Sequence, residues 1–128
     1  MNPSRRTLLA LAAASALPGT ARAQSTFPRG PVRIIVPFPP GGPVDVTGRA
    51  MAQKLTELWG AQVSVENRSG GNSVIGAEAA SRAAPDGQTI FLGAIHQSVL
   101  PGFGNKLPYD IEKDFTPVMF GEIGRAHV

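Results

Sequence analysis

Along this chain the apolar positions switch between unbroken runs, which suit buried strands, and helical spacing. Val32-Arg33-Ile34-Ile35-Val36 is a short, β-branched, mostly apolar run closed by Pro37, and it predicts a strand. From Val44 to Trp59 the period changes. Thr47, Met51, Leu55 and Leu58 recur at helical spacing, with Arg49, Gln53, Lys54 and Glu57 for the solvent face. Pro43 suits the first turn of that helix, and Gly60 suits the residue just past its end. Val63-Ser64-Val65-Glu66 half-alternates and predicts a second strand. Val74 to Ala84 is alanine-rich and predicts a second helix, capped by Asn72 or Ser73 and stopped at Pro85-Asp86-Gly87. Thr89-Ile90-Phe91-Leu92 is a continuous apolar run of the kind buried in parallel sheets. The order βαβαβ implies an α/β fold with parallel strands and helical crossovers. Beyond Gly93 the regularity fades. Ala94 to Lys106 reads as loop or short helix, and Leu107-Pro108-Tyr109-Asp110 as an extended connection. A turn is expected over Ile111 to Asp114, and Thr116 to Phe120 predicts the start of a fourth strand.

One apolar run belongs to none of these elements. Arg5-Arg6 precedes Leu8 to Leu17, and Ala21-Arg22-Ala23 forms an A-x-A cleavage signal. That is the three-part layout of a secretory leader over residues 1–23, too short in its core to span a bilayer. The twin arginines fit either a Sec or a twin-arginine export route. Without the leader the charge balance changes. Arg5, Arg6 and Arg22 leave, so 12 basic residues become 9 against 9 acidic ones. The whole-chain pI of about 10.0 is therefore largely a property of the leader, not the footprint of a nucleic-acid partner. After leader cleavage nothing in the chain is apolar for long enough to insert into a membrane. There is no cysteine, which excludes disulfides, thiolate metal sites and a cysteine nucleophile.

In a parallel α/β sheet ligands sit outside the carboxyl ends of the strands, where helix N-termini point N–H groups outward. Three such ends are expected here, at Phe38 to Asp45, Arg68 to Ser73, and Gly93 to Ser98. The first, Pro37-Phe38-Pro39-Pro40-Gly41-Gly42-Pro43, could be punctuation before a helix, a phosphate cradle, or one wall of a small-anion site. It has neither the G-x-G-x-x-G spacing of a dinucleotide fold nor the Lys-Ser/Thr ending of a P-loop. Asp45 has a plain explanation too, since an acid in the first helical turn stabilises the dipole by about 0.3–1 kcal/mol. Ser73, His96 and Asp45 are the ingredients for nucleophilic catalysis, but no G-x-S-x-G elbow is present. His96 and His127 are too far apart in sequence for a helical metal pair, so no metal or cofactor is expected. Asn67-Arg68-Ser69 matches a glycosylation sequon, to which no function is assigned.

Four stretches in order carry a resemblance. They are Arg33 to Asp45 (RIIVPFPPGG-x-x-D), Val65 to Glu78 (VENRSGGNSVIGAE), Pro85 to Gly93 (PDGQTIFLG) and Leu107 to Val118 (LPYDIEKDFTPV), behind an export leader. Together they resemble the start of a tripartite tricarboxylate transporter substrate-binding protein, the Bug-type periplasmic receptors. The resemblance implies a two-lobed Venus-flytrap receptor of the type II periplasmic-binding-protein class, of which residues 24–122 are the first part of lobe I. It implies no catalysis. It implies capture of a small carboxylate or similar solute and its delivery to membrane permease subunits. The loop with Phe38, Pro40, Gly41, Gly42 and Asp45 would then be one jaw of a carboxylate clamp, with Asn72 and Ser73 and the segment after Gly93 lining the same cleft. Many relatives are rich in Gly, Ser and Thr after the third strand, whereas this chain reads Gly93-Ala94-Ile95-His96-Gln97-Ser98. The bulkier His96 and Gln97, with Ser98, are expected to contact the solute. The second lobe would lie beyond residue 128. The closing Ile123 to Val128, IGRAHV, matches one reading frame of a common short-read sequencing adapter and is expected to be read-through. Two alternatives stay open at this point: an exported α/β hydrolase or transferase lobe using His96, and a sensory or interaction domain derived from the receptor fold.

Overall fold

The computed structural model describes residues 27–104 and 106–121. The expected leader (1–23) and the closing segment (123–128) lie outside the described residues. The β-branched run becomes β1 (Val32–Val36), the centre of a three-stranded sheet between β2 (Val63–Asn67) and β3 (Thr89–Phe91). Both neighbours run parallel to it. Val32 pairs with Val63 and Val36 with Asn67 on one side, and Arg33 pairs with Thr89 and Ile35 with Phe91 on the other. A central strand loses water on both faces, which is why four of the five β1 residues are buried and only Arg33 is exposed.

Side chains alternate across the strand, so Val32, Ile34 and Val36 share one face. There they form the core with Ala52 and Val63, and Val44, Met51, Leu55 and Trp59 of α1 (Pro43–Trp59) pack against it. The apolar stripe of α1 differs from the expected one at a single position. Leu58 is 77% exposed, and the stripe closes on Trp59 instead, whose ring meets Phe27 edge-on at 5.2 Å. Pro43 opens the helix, and Gly60 ends it in the left-handed region (φ 63), donating its N–H to Thr56 O.

The first crossover runs from β1 out to β2 and the second returns from β2 past β1 to β3, and right-handed connections running in opposite directions put their helices on opposite faces. α2 (Val74–Ser81) therefore runs behind the sheet, on the side to which Ile35 points. It is shorter than the helix expected to reach Ala84. Arg82 ends it, Ala83 N bonds three residues back to Ala80 O, and Pro85 disfavours helical geometry at Ala84. Ser73 does occupy the N-cap position, but its left-handed backbone (φ 69) leaves the helix without a side-chain cap hydrogen bond. β2 runs one residue further than expected, to Asn67. β3 is one residue shorter and only half-buried, because it lies at a sheet edge, although Leu92 N still donates to Ile35 O at 2.9 Å. α3 (His96–Val99) and a 3-10 turn (Leu100–Phe103) follow. The turn expected over Ile111 to Asp114 forms around Asp110, whose Oδ1 accepts from Glu112 N and Lys113 N. It docks on β3 through Phe115, whose ring lies 5.2 Å from Phe91 and 6.0 Å from Tyr109. The expected fourth strand is not formed among the described residues. Val118, Met119 and Phe120 are 91%, 71% and 93% exposed, and an extended segment without a neighbour to bond is no strand.

Gly76 sets how closely α2 approaches the sheet. A Cβ there would stand 2.7 Å from Arg68 O and 2.7 Å from Pro37 Cβ, so the helix touches the chain just after both β1 and β2. Backbone cannot yield as a flexible side chain can. Gly76→Ala is expected to destabilise the fold by about 1–3 kcal/mol, the usual cost of forced overpacking. Urea unfolding of the purified protein beside wild type measures it.

Candidate functional site

The three carboxyl-terminal strand ends come together at one edge of the sheet. Loop 1 (residues 37–42) leaves β1, loop 2 (68–73) leaves β2, and loop 3 (92–98, running into the first turn of α3) leaves β3. Gly76 presses loop 1 and loop 2 together at Pro37 and Arg68.

Loop 1 is held from inside. Gly41 adopts φ 83, a left-handed conformation open to glycine at little cost, and Gly42 is the N-cap of α1 with no side chain to cap it. Asp45 supplies the acceptor from the other direction. Its Oδ2 accepts from Gly41 N at 2.8 Å and from Arg49 Nε at 2.9 Å, and its Oδ1 accepts from Asn67 Nδ2 at 2.8 Å. The same Asn67 nitrogen donates to Phe38 O at 3.1 Å, while Asn67 Oδ1 accepts from Arg49 Nη2 at 3.1 Å. Asp45 is only 2% exposed, and a buried carboxylate needs such donors to remain ionised. The Arg49 hydrogen bond first, then those of Gly41 and Asn67, lower its pKa from an ordinary 3.8 to about 2.

Loop 2 is a run of left-handed backbone, with φ of 127, 55, 54 and 69 at Gly70, Gly71, Asn72 and Ser73. Asn72 is exposed and Ser73 buried. In loop 3, Gln97 Oε1 accepts from Ala94 N at 2.7 Å and Gln97 N donates to Ala94 O at 3.1 Å. That is half of a capping box: the Gln97 side chain accepts from the Ala94 N–H, while Ala94 has no side-chain oxygen and answers only with its backbone carbonyl. Gln97 is 2% exposed, so its acceptor end shapes the loop from within.

The residues expected to meet a solute thus occupy different situations. Pro40, Gly41, Asn72 and Ser98 are exposed, Gly42 is half-exposed, and Phe38 is half-buried against the core. Ser98 borders an open depression with Pro101, Tyr109 and Asp110. Asp45, Ser73 and Gln97 are buried. His96 is the first residue of α3, and the contact expected from its side chain lies outside what the structure describes. Asn67 and Arg49 were not singled out from the sequence as site residues, yet they join Phe38, Gly41 and Asp45 into one network. The signal that could have found Asn67 is its place at the end of β2, beside the point where loop 1 leaves β1. A second depression, between Arg33, Ser64 and Thr89, lies off this edge, and its guanidinium is engaged by Thr89 and Glu66. Among the described residues no group of three or more His, Cys, Asp or Glu could hold a metal ion, and no helix is long and apolar enough to cross a membrane.

Residues 47–124 match the model of the tripartite tricarboxylate transporter family receptor. The chain belongs to this receptor family. It is 38% identical over 120 residues to a protein from the tcbD-tcbE intergenic region of Pseudomonas sp. strain P51, covering 92% of this chain and 36% of that one. It is 39% identical over 105 residues to BugT of Bordetella pertussis, covering 77% and 31%. The chain therefore spans about a third of the length of these curated relatives. Among solved structures it is similar to MatC of Rhodopseudomonas palustris with bound malate, at 36% identity and a TM-score of 0.64, over 72% of this chain and 32% of that one. A solute-binding protein from Polaromonas is similar at 33% identity and a TM-score of 0.58, over 62% and 27%. The α/β fold with its parallel sheet is that of part of these periplasmic solute-binding proteins. They are receptors rather than enzymes, and the hydrolase or transferase alternative falls with that.

The depressed pKa of Asp45 fixes the sign of an acid effect in this receptor. The unfolded chain takes up this proton near 3.8 and the folded one near 2, so the carboxylate stabilises the fold above about pH 4 and ceases to do so as pH falls to about 2. Asp45→Asn is expected to lower stability at pH 7 and to flatten its loss between pH 4 and 2. Denaturant midpoints across that range, for both proteins, check it.

Proposed function

We propose that this chain is the first part of lobe I of an exported, periplasmic solute receptor, and that loops 1, 2 and 3 form one side of a cleft for a small carboxylate. In this role the receptor hands its solute to membrane permease subunits of a tripartite transporter. The observation that carries this reading is the strand order β2-β1-β3, which reverses direction at β1. At such a switch point the loops after neighbouring strands diverge to opposite faces and leave a crevice, which is where α/β sheets bind ligands. By that rule the crevice would open between loop 1 and loop 3, at the N-terminus of α1, where aligned peptide dipoles favour negative charge. The similarity to a receptor with bound malate supports a carboxylate as the guest.

Charge would be read mainly by backbone. Arg49 is paired with Asp45 and Arg68 with Glu66, so the guanidiniums nearest loops 1 and 2 already have partners. Phe38, Pro40, Gly41 and Gly42 would then form the wall of loop 1, and Asn72 and Ser73 the wall of loop 2. His96, Gln97 and Ser98 would supply loop 3, Gln97 and Asp45 by shaping their loops.

Calorimetric titration of the full-length receptor, which carries the second lobe that this chain lacks, with malate, succinate and citrate tests this, since one cleft wall alone is not expected to bind tightly. Saturable binding of at least one is expected. His96→Ala and Ser98→Ala should each weaken it by roughly threefold to tenfold, the worth of one hydrogen bond. No heat from any of the three would overturn the carboxylate assignment, and unchanged affinity in a variant would remove that residue from the site.

A further inference from the structure

We propose, resting on the reading of loop 1 as one wall of the solute site, that Asn67 is the positioning residue that holds this wall in its receptive shape. Asn67 is the last residue of β2 and lies opposite Val36, the last residue of β1. By alternation it shares the α1-facing side with Val63 and Val65, both part of the core packing around α1. Its carboxamide therefore emerges where β1, loop 1 and the first turns of α1 meet. Three of its four hydrogen-bonding positions are used there. Nδ2 donates to Phe38 O and Asp45 Oδ1, and Oδ1 accepts from Arg49 Nη2.

Each of these bonds suits an anion site. The peptide between Phe38 and Pro39 has a carbonyl but no N–H, because proline has none. Turned toward a cleft, it would present only negative dipole to a carboxylate. Asn67 draws that carbonyl inward to β2. Pro40 and Pro43 also lack N–H groups, and the Gly41 N–H is taken by Asp45. The amides of Gly42, Val44 and Asp45, at the N-cap and in the first turn of α1, have no intrahelical acceptor and are donors that this end of loop 1 can offer. Asn67 also fixes Asp45 from the side opposite Gly41, so the acid stays in the network with Arg49 and does not face the solute. A shortened or charged side chain at 67 would release both Phe38 O and Asp45 together. A glycan on this Asn would do the same, so the sequon Asn67-Arg68-Ser69 is spent on structure.

The test is made in the full-length receptor and uses Asn67→Asp, which keeps the shape but loses both donors at neutral pH, and Asn67→Ser, which keeps one shorter donor. Two readouts are taken. The first is amide hydrogen exchange of residues 37–45, which needs no solute. Asn67→Asp is expected to speed exchange there by about tenfold or more, the scale of a lost charge-assisted hydrogen bond, and to leave residues 52–59 of α1 unchanged. Unaltered exchange in loop 1 for both variants overturns the proposal, whatever binds. The second is malate affinity. Asn67→Asp should weaken it about tenfold at pH 7.5 relative to wild type, with part of that gap closing at pH 5.5 as one proton is shared with Asp45. Asn67→Ser should fall between the two proteins. If loop 1 loosens but malate binds wild type and variants equally, Asn67 is only structural and the proposal fails. If loop 1 loosens and wild type binds no malate, the positioning of loop 1 by Asn67 stands while the assignment of malate to this cleft fails.

Discussion

A carboxylate removed from water must find donors, and the way Asp45 finds them governs this edge of the molecule. One donor comes from the loop before its helix, one from a later turn of the same helix, and one from the neighbouring strand. The three are in place together only when loop 1 folds back over α1 and the β1–β2 register brings Asn67 level with Val36. A slip of one residue in that register would turn Asn67 to the opposite face and leave the acid short of a partner. The buried charge thus makes the geometry of loop 1 and the pairing of two strands a single condition. A hydrophobic residue at 45 could fill the space but would not enforce that condition.

The sheet supplies the other half of the arrangement. β1 is central and almost wholly buried, so its end is the least mobile point from which a loop can leave. Loop 1 departs from that point. Loops 2 and 3 depart from the strands on either side, and Gly76, having no Cβ, lets α2 come into contact with the first two. Close approach of backbone to backbone at Pro37 and Arg68 does for loop 2 what the Asp45 network does for loop 1. In loop 3 the same task falls to Gln97, whose oxygen accepts from the Ala94 N–H. Each loop is therefore shaped by a buried polar or packing contact behind it.

The elements were legible in the sequence because they follow from local period and punctuation. The run Val32 to Val36, the helix between Pro43 and Gly60 and the order βαβαβ all appear as expected. Where the expectation failed, the deciding physics was not local. Thr116 to Phe120 has strand-like composition, but a strand is defined by its neighbour, and none is paired with it among the described residues. Leu58 fits a helical stripe by spacing, yet the twist of α1 over the sheet gives its place to Trp59. The site was legible in outline only. The glycines, the strand ends and Asp45 mark the loops, but spacing does not reveal that Asp45 and Gln97 point inward. Asn67 carried the least signal of all. As text it is a sequon, and only the parallel register turns it into a partner of residues 22 and 29 positions away.

These arrangements bear on selectivity in a way that the charges alone would not suggest. A free arginine at the cleft would bind carboxylates strongly through a planar fork and discriminate by its geometry. Here Arg49, though exposed, is held by Asp45, and Arg68 is paired with Glu66. What loop 1 then offers to an anion is backbone polarity at the start of α1, a diffuse attraction of modest strength. Diffuse attraction recognises that a group is negative and reads little of what it is attached to. Under the proposed function, loop 1 would hold the feature common to many carboxylates, and discrimination among them would rest on side chains elsewhere in the cleft. Loop 3 is the part of the edge best suited to that, since the exposed Ser98 offers a side-chain hydroxyl there and not a peptide.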